Sequence, residues 1–220
     1  MDFVQGDASL GDLPADLNRY ANALAELDRQ LARLFAELRK RGLDDDTMVI
    51  ITGDHGQAFG APHPGHFHSG NVYEEDVHVP LVIWSPALFS GGRTSDIVGA
   101  HVDLAPTVLD LLGMPAPDGW HGRSLLRSPQ ERRAYFFGMR NDYLFGVREG
   151  PFKYIFNSTA ARDELYDLSA DPLEQQNLTP AKAGLRHRLR QRLAAWMAFD
   201  KRAADLPPGT EIKASPPSAE

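Results

Sequence analysis

Residues Thr47 to Pro86, TMVIITGDHGQAFGAPHPGHFHSGNVYEEDVHVPLVIWSP, decide how the rest of the chain is read. They open on Thr47 to Thr52, an apolar, β-branched run without polar alternation, the pattern of a strand buried on both faces of a parallel sheet. The run stops at Gly53, Asp54, His55 and Gly56, where two glycines flank an acid and an imidazole. Such a tight turn belongs at the carboxyl end of a strand, the edge where open α/β sheets place their ligands. His63, His66 and His68 follow in a Gly/Pro-rich loop, and a second core strand is expected over Val79 to Ser85, with Pro80 tolerated near its start. Four of the eight histidines thus fall between His55 and His68, in one loop between two strands.

Upstream, Leu17, Tyr20, Leu24, Leu27, Leu31, Leu34 and Leu38 recur at alternating steps of three and four, which predicts a helix with one apolar stripe. Asp16 can cap it, and Gly42 follows a basic last turn of Arg39, Lys40 and Arg41, as the helix dipole favours. The stripe also suits a coiled coil, but a lone helix followed at once by a buried strand favours packing on a sheet. Met1 to Pro14 lacks periodicity and reads as a loop.

Downstream, Asp103 is the expected cap of a short helix through Leu112, with Pro106 in its first turn and Gly113 just past its end. Met114 to Arg133 is loop-rich, with a turn over Gly119 to Arg123. Ala134 to Gly138, Tyr143 to Arg148 and Phe152 to Asn157 are short aromatic runs separated by turn residues, an antiparallel meander. A helix is expected from Pro180 to Phe199, with Leu185, Leu189, Leu193 and Trp196 on one face. Its Arg186, Arg188, Arg190 and Arg192 read as a solvated face rather than a phosphate patch. The end, LPPGTEIKASPPSAE, has the composition of a disordered tail. The expected division is 1–133 for the α/β part, 134–204 for the sheet and helix, and 205–220 for the tail.

The totals narrow the chemistry. A chain of 220 residues, 42% hydrophobic, can bury a real core. A net charge of -7 argues against nucleic acid or an anionic membrane surface as partner. With no cysteine there is no disulfide, thiolate metal site or cysteine nucleophile. No apolar run is long enough to span a bilayer, and the first residues carry no secretory signal. The compartment stays open, since a longer parent could still be exported.

Asp54 and His55 are adjacent, and a turn at a strand end can converge them on one ion. A carboxylate and an imidazole suit Mn, Zn, Fe or Mg. The same three residues, Asp-His-Gly, also make a plain turn with a polar cap; the histidines nearby favour a metal or oxyanion site. His68 reads as a donor to a transferred oxyanion or as the general acid for a leaving oxygen, against the plainer reading of a water-exposed loop histidine. For His63 and His66 both readings stay open. His78, His101, His121 and His187 lack such company and read as structural, and Glu74 and Glu75 receive no catalytic role.

In this order, TMVIITGDHG, YEEDVHVPLVIWSP, DLAPTVLDLLG, HGRSLL and ELYDLSADPLEQQNL resemble the carboxy-terminal portion of a sulfatase of the alkaline phosphatase superfamily, across Tyr20 to Leu178. The resemblance implies part of a doubly wound α/β core, with a small C-terminal antiparallel sheet closed by the last helix. It implies one divalent metal (Ca, Mn, Mg or Zn), held partly by Asp54 and His55 beside a nucleophile that attacks sulfur or phosphorus. His68 matches a position where the family often has a basic residue near the transferred group.

The family's nucleophile lies in an amino-terminal half, in a Cys/Ser-x-Pro-x-Arg motif or at a threonine in related phosphotransferases, and these 220 residues contain no such motif. The chain therefore reads as a fragment, inactive alone, whose partner is the missing half of the same fold. No lysine occurs between Lys40 and Lys153, where many sulfatases carry one, and His55 stands where many calcium-dependent members have asparagine. Imidazole suits calcium less than oxygen does. Three functions follow: sulfuric ester hydrolysis; phosphoester or phosphonate hydrolysis or phosphoethanolamine-type transfer on the same fold; and a non-catalytic remnant or binding module.

Overall fold

The computed structural model describes residues 15–68, 70–127 and 132–204; the loop expected at Met1 to Pro14 and the tail expected at 205–220 lie outside them. The chain forms two compact units. The first comprises Met1–Asp54, Phe59–His66 and Val79–Arg93; the second comprises His55–Ala58, Phe67–His78 and Thr94–Glu220.

In the first unit the leucine stripe produces α1, Ala15–Lys40, and the β-branched run produces β1, Val49–Thr52. Gly42 follows α1 at φ 65°, a left-handed position that glycine takes without a Cβ penalty. Two short strands, β2 (Ala58–Phe59) and β3 (His66–Phe67), pair in a ribbon, and β4 spans Leu81–Trp84. The expected parallel geometry is corrected here. β1 and β4 pair antiparallel, Val49 opposite Trp84 and Thr52 opposite Leu81. Neither is buried on both faces, Leu81 and Val82 being 39% and 50% exposed. An apolar run specifies an extended segment that tolerates burial; it encodes neither the direction of its neighbour nor how much of it is covered. Packing of α1 on this pair is seen in Phe35, whose ring lies 4.7 Å from that of Trp84, and Tyr20 meets Phe59 edge-on at 5.2 Å.

The second unit is built on a meander of four strands: β5 (Arg133–Gly138), β6 (Leu144–Glu149), β7 (Phe152–Asn157) and β8 (Arg162–Asp167), antiparallel in that order. Period-two alternation sends successive side chains to opposite faces. On one face Val147, Tyr154 and Leu165 pack with Leu189 and Leu193 of the last helix, Ala183–Ala204, and Tyr135 stacks on Trp196 at 5.1 Å. The sequence placed Leu189, Leu193 and Trp196 on that face correctly. On the other face Leu144, Ile155 and Tyr166 bury Val72 of the histidine loop, with Tyr73 and Val77 packed beside them. Each fully buried side chain of this kind contributes about 1.5–3 kcal/mol. Gly146 seats the ring of Phe136, since a Cβ there would lie 1.9 Å from it.

β8 was not expected, because RDELYD offers only Leu165 and Tyr166 as apolar residues and four of its six side chains are charged. Of the four arginines of the last helix, Arg188 and Arg190 are exposed, as a solvated face requires, while Arg186 and Arg192 are partly covered. Arg186 pairs with Asp163, Arg188 and Arg192 with Glu149, and Arg190 lies over the Phe156 ring. Long guanidinium stems lie along apolar surface while their heads reach sheet carboxylates.

A short helix, α2, spans Glu74–Val77, and α3 spans Leu104–Leu111 after a 3-10 turn at His101–Asp103; the last helix is α4. Asp103 sits at the cap position of α3, but its carboxylate accepts from the backbone N–H of Ala100 and of Arg123, tying the Gly119 to Arg123 turn to the helix start. Gly113, at φ 70°, closes α3.

Candidate functional site

The β1 strand ends at Thr52, and the turn after it begins with Gly53 and Asp54 in the first unit and continues with His55 and Gly56 in the second. Asp54 and His55 are both exposed. His55 is oriented from within its own turn: Nδ1 lies 2.9 Å from the carbonyl oxygen of Gly56. A nitrogen so placed against a carbonyl oxygen carries the proton and donates, which fixes the ring's orientation in the turn. A carboxylate and an imidazole are donor types that suit a divalent ion. Among the described residues no group of three or more histidine and carboxylate side chains could hold an ion by itself.

His68 is brought to His55. Their rings stack with centroids 4.2 Å apart and planes inclined by 22°, although His68 lies thirteen positions after His55. The backbone carbonyl of His68 accepts a long hydrogen bond of 3.5 Å from Arg140, in the turn between β5 and β6. That contact spans 72 positions, and nothing in the local sequence of Arg140 signals it. His63 is buried, and His66 lies on β3. Among the histidines taken as structural, His78 pairs with Glu74 at 3.5 Å and His121 meets Phe199 edge-on.

The loop rests on α2. The Gly56 N–H donates to the Asp76 carbonyl at 2.8 Å, and a Cβ on Gly56 would stand 2.1 Å from the Glu75 carbonyl oxygen. Gly56 is therefore required by close backbone approach. The helix is in turn pinned to the sheet. Tyr73 and Tyr166 both donate to Glu164, at 2.8 and 2.7 Å, and burial followed by the Glu164 contact raises both phenol pKa values, so they stay protonated donors. Glu74 meets Lys153 at 2.9 Å and Arg148 at 3.2 Å, while Lys153 also meets Glu174 at 2.8 Å. Burial raises the Glu174 pKa, against the opposing pull of Lys153.

The sequence matches two family profiles, "Sulfatase" over residues 2–114 and "N-sulphoglucosamine sulphohydrolase, C-terminal" over 63–198. The chain belongs to the sulfatase family. It is 32% identical to arylsulfatase K of Bos taurus over 205 residues, which cover 85% of this chain and 37% of that protein. A solved structure in complex with its substrate D-glucosamine-2-N,6-O-disulfate superposes with a TM-score of 0.71 at 26% identity, covering 94% of this chain and 46% of that one. The phosphonate monoester hydrolase of Agrobacterium radiobacter gives a TM-score of 0.67 at 27% identity, covering 83% and 41%. This sulfatase-family chain thus has the alkaline-phosphatase-like fold of its neighbours and spans less than half the length of each of these relatives. No helix among its described residues is long and apolar enough to cross a membrane.

Proposed function

We propose that this chain is part of a metal-dependent sulfuric ester hydrolase in which Asp54 and His55 are metal ligands and His68 assists the transfer. The observation that carries the reading is the stacking of His68 on His55 at a strand-end turn, in a chain of the sulfatase family. A bound divalent ion would polarise a nonbridging oxygen and stabilise the charge that develops on it. His55, oriented through Nδ1 by the Gly56 carbonyl, would be one of the residues holding that ion. His68 donates a proton or a hydrogen bond to the transferred group or to the departing oxygen. A sulfated sugar is favoured as substrate by the N-sulphoglucosamine sulphohydrolase profile and by the likeness to the structure that holds a glucosamine disulfate. The ion's identity is left among Ca, Mn, Mg and Zn, with the imidazole of His55 arguing against calcium.

A second reading, phosphoester or phosphonate hydrolysis, is favoured by the phosphonate monoester hydrolase, whose identity to this chain is 27% against 26% for the glucosamine disulfate complex. Comparing aryl sulfate with aryl phosphate and phosphonate esters, on protein produced from the native reading frame with any upstream coding sequence, separates the two. Sulfate turnover exceeding phosphate turnover supports the first reading; phosphate or phosphonate turnover with none on sulfate overturns it. The 220 residues alone, which contain no Cys/Ser-x-Pro-x-Arg motif, are expected to turn over neither.

A further inference from the structure

The most completely buried charges in the second unit are Lys153 and Glu174, whose side chains are both 0% exposed. Burying an ion pair costs several kcal/mol of desolvation per ion, so a fold gains little stability from it compared with an apolar pair. What this pair holds is specific. Lys153 stands on β7, on the face toward α2, with its ammonium 2.9 Å from Glu74 and 5.2 Å over the Phe136 ring. Glu174 accepts from the backbone N–H of Glu74, the first residue of α2, at 2.5 Å. The backbone of Glu74 is therefore fixed to Glu174, in the segment after β8, and its side chain to Arg148 and Lys153 of the meander. Two residues on, Asp76 presents the carbonyl that receives the Gly56 N–H, and Gly56 supplies the carbonyl that orients His55. The path from β7 to His55 is continuous: Lys153 and Glu174, Glu74, the carbonyls of Glu75 and Asp76, Gly56, and the imidazole.

We infer that Lys153 and Glu174 are positioning residues for the His55 turn, acting through α2; the consequence for metal binding rests on the reading of His55 as a ligand. Removing the pair frees α2 to shift against the sheet, and the His55 turn moves with it. Core packing on the opposite face, around Tyr154, Leu189 and Leu193, shares no atom with this path.

The test uses protein from the native reading frame with any upstream coding sequence, unaltered and as a double variant, Lys153→Met with Glu174→Met, which replaces the pair by apolar side chains of similar length and strands no buried charge. Lys153→Met alone is the harsher companion, since it takes the paired ammonium from the buried Glu174 while Glu74 keeps Arg148. Amide hydrogen exchange is followed at Gly56 and at the core amides of Val147 and Tyr154. In the double variant, exchange at Gly56 should rise about tenfold or more while the core amides stay within about twofold, as expected for local rather than global opening. Mn2+ affinity, measured by electron paramagnetic resonance on folded protein, should fall about 10- to 100-fold, the usual cost of losing an outer support of a ligand. Unchanged exchange at Gly56, or acceleration there only in step with the core, overturns the inference. Selective acceleration at Gly56 in a chain whose unaltered form binds no Mn2+ supports positioning and sinks the metal reading instead.

Discussion

The β1–β4 pair and the four-stranded meander are both written in apolar, β-rich sequence, yet they end in different environments. In the meander, both faces are covered: Val147, Tyr154 and Leu165 by α4, and Leu144, Ile155 and Tyr166 by Val72 and its neighbours. In the pair, Leu81 and Val82 keep much of their surface in water, and α1 contains no buried residue, with Leu24, Leu27 and Leu34 at 45–50% exposure. The difference teaches that apolar content sets the capacity for burial, whereas stability within this chain comes from the partner that covers it.

The contrast is broken most directly at the centre of the covered face. Leu189→Ala should cost about 3 kcal/mol, because Leu189 is fully buried and its loss leaves a cavity against β6 and β7. Equilibrium urea unfolding measures it, and a cost under about 1 kcal/mol would mean that α4 does not hold the sheet. Next in size is Gly56→Ala. Its methyl would meet the Glu75 carbonyl at 2.1 Å, so the turn or α2 must shift, at about 2 kcal/mol. Loss of the His55–His68 ring contact, seen in histidine side-chain NMR shifts, is the expected accompaniment.

Asp163→Asn comes third, at about 1 kcal/mol, and sharpens the account of α4. Burial pushes the Asp163 carboxyl up, but the paired hydrogen bonds from Arg186 outweigh it and hold the group below the usual carboxylate range. A carboxyl depressed in the folded state adds stability above its unfolded pKa and loses it as pH falls through the folded value. The variant should therefore be weaker at neutral pH and lose less on acidification below about pH 4. Equal acid slopes in both proteins would remove Asp163 from the ledger. Smallest are Leu27→Ala on α1 and Val82→Thr on β4, each within about 0.5 kcal/mol, because half of either side chain already meets water. A cost near that of Leu189→Ala would erase the distinction between the units.

Much of the fold was legible. Periods of three and four gave α1 and α4 to within a few residues, Asp103 and Gly113 bracketed α3, and three of the four meander strands announced themselves by aromatic runs between turns. The direction of the β1–β4 pairing was not legible, because side-chain pattern encodes burial and leaves the hydrogen-bond partner unspecified. β8 was hidden by its charges, which serve as partners for Tyr73, Tyr154 and Arg186. At the candidate site, the clustering of histidines drew attention to His55 and His68, whose rings meet. Local sequence could not show that Gly56 is a contact point, or that Lys153, Glu74 and Glu174, 79 and 21 positions from one another, form one cluster. A lysine in a strand rich in aromatic residues, FKYIFN, was the one available signal.

The proposed role of His55 is to serve a divalent metal in sulfate ester hydrolysis. The most direct measurement is kcat/KM on an aryl sulfate for protein from the native reading frame, unaltered and as His55→Ala, each with and without a chelator. The account predicts a fall of about 100-fold or more on substitution and a comparable fall on chelation, restored by adding back a divalent ion only in the unaltered protein. Full sulfate turnover by His55→Ala, with the same sensitivity to chelation, would contradict it.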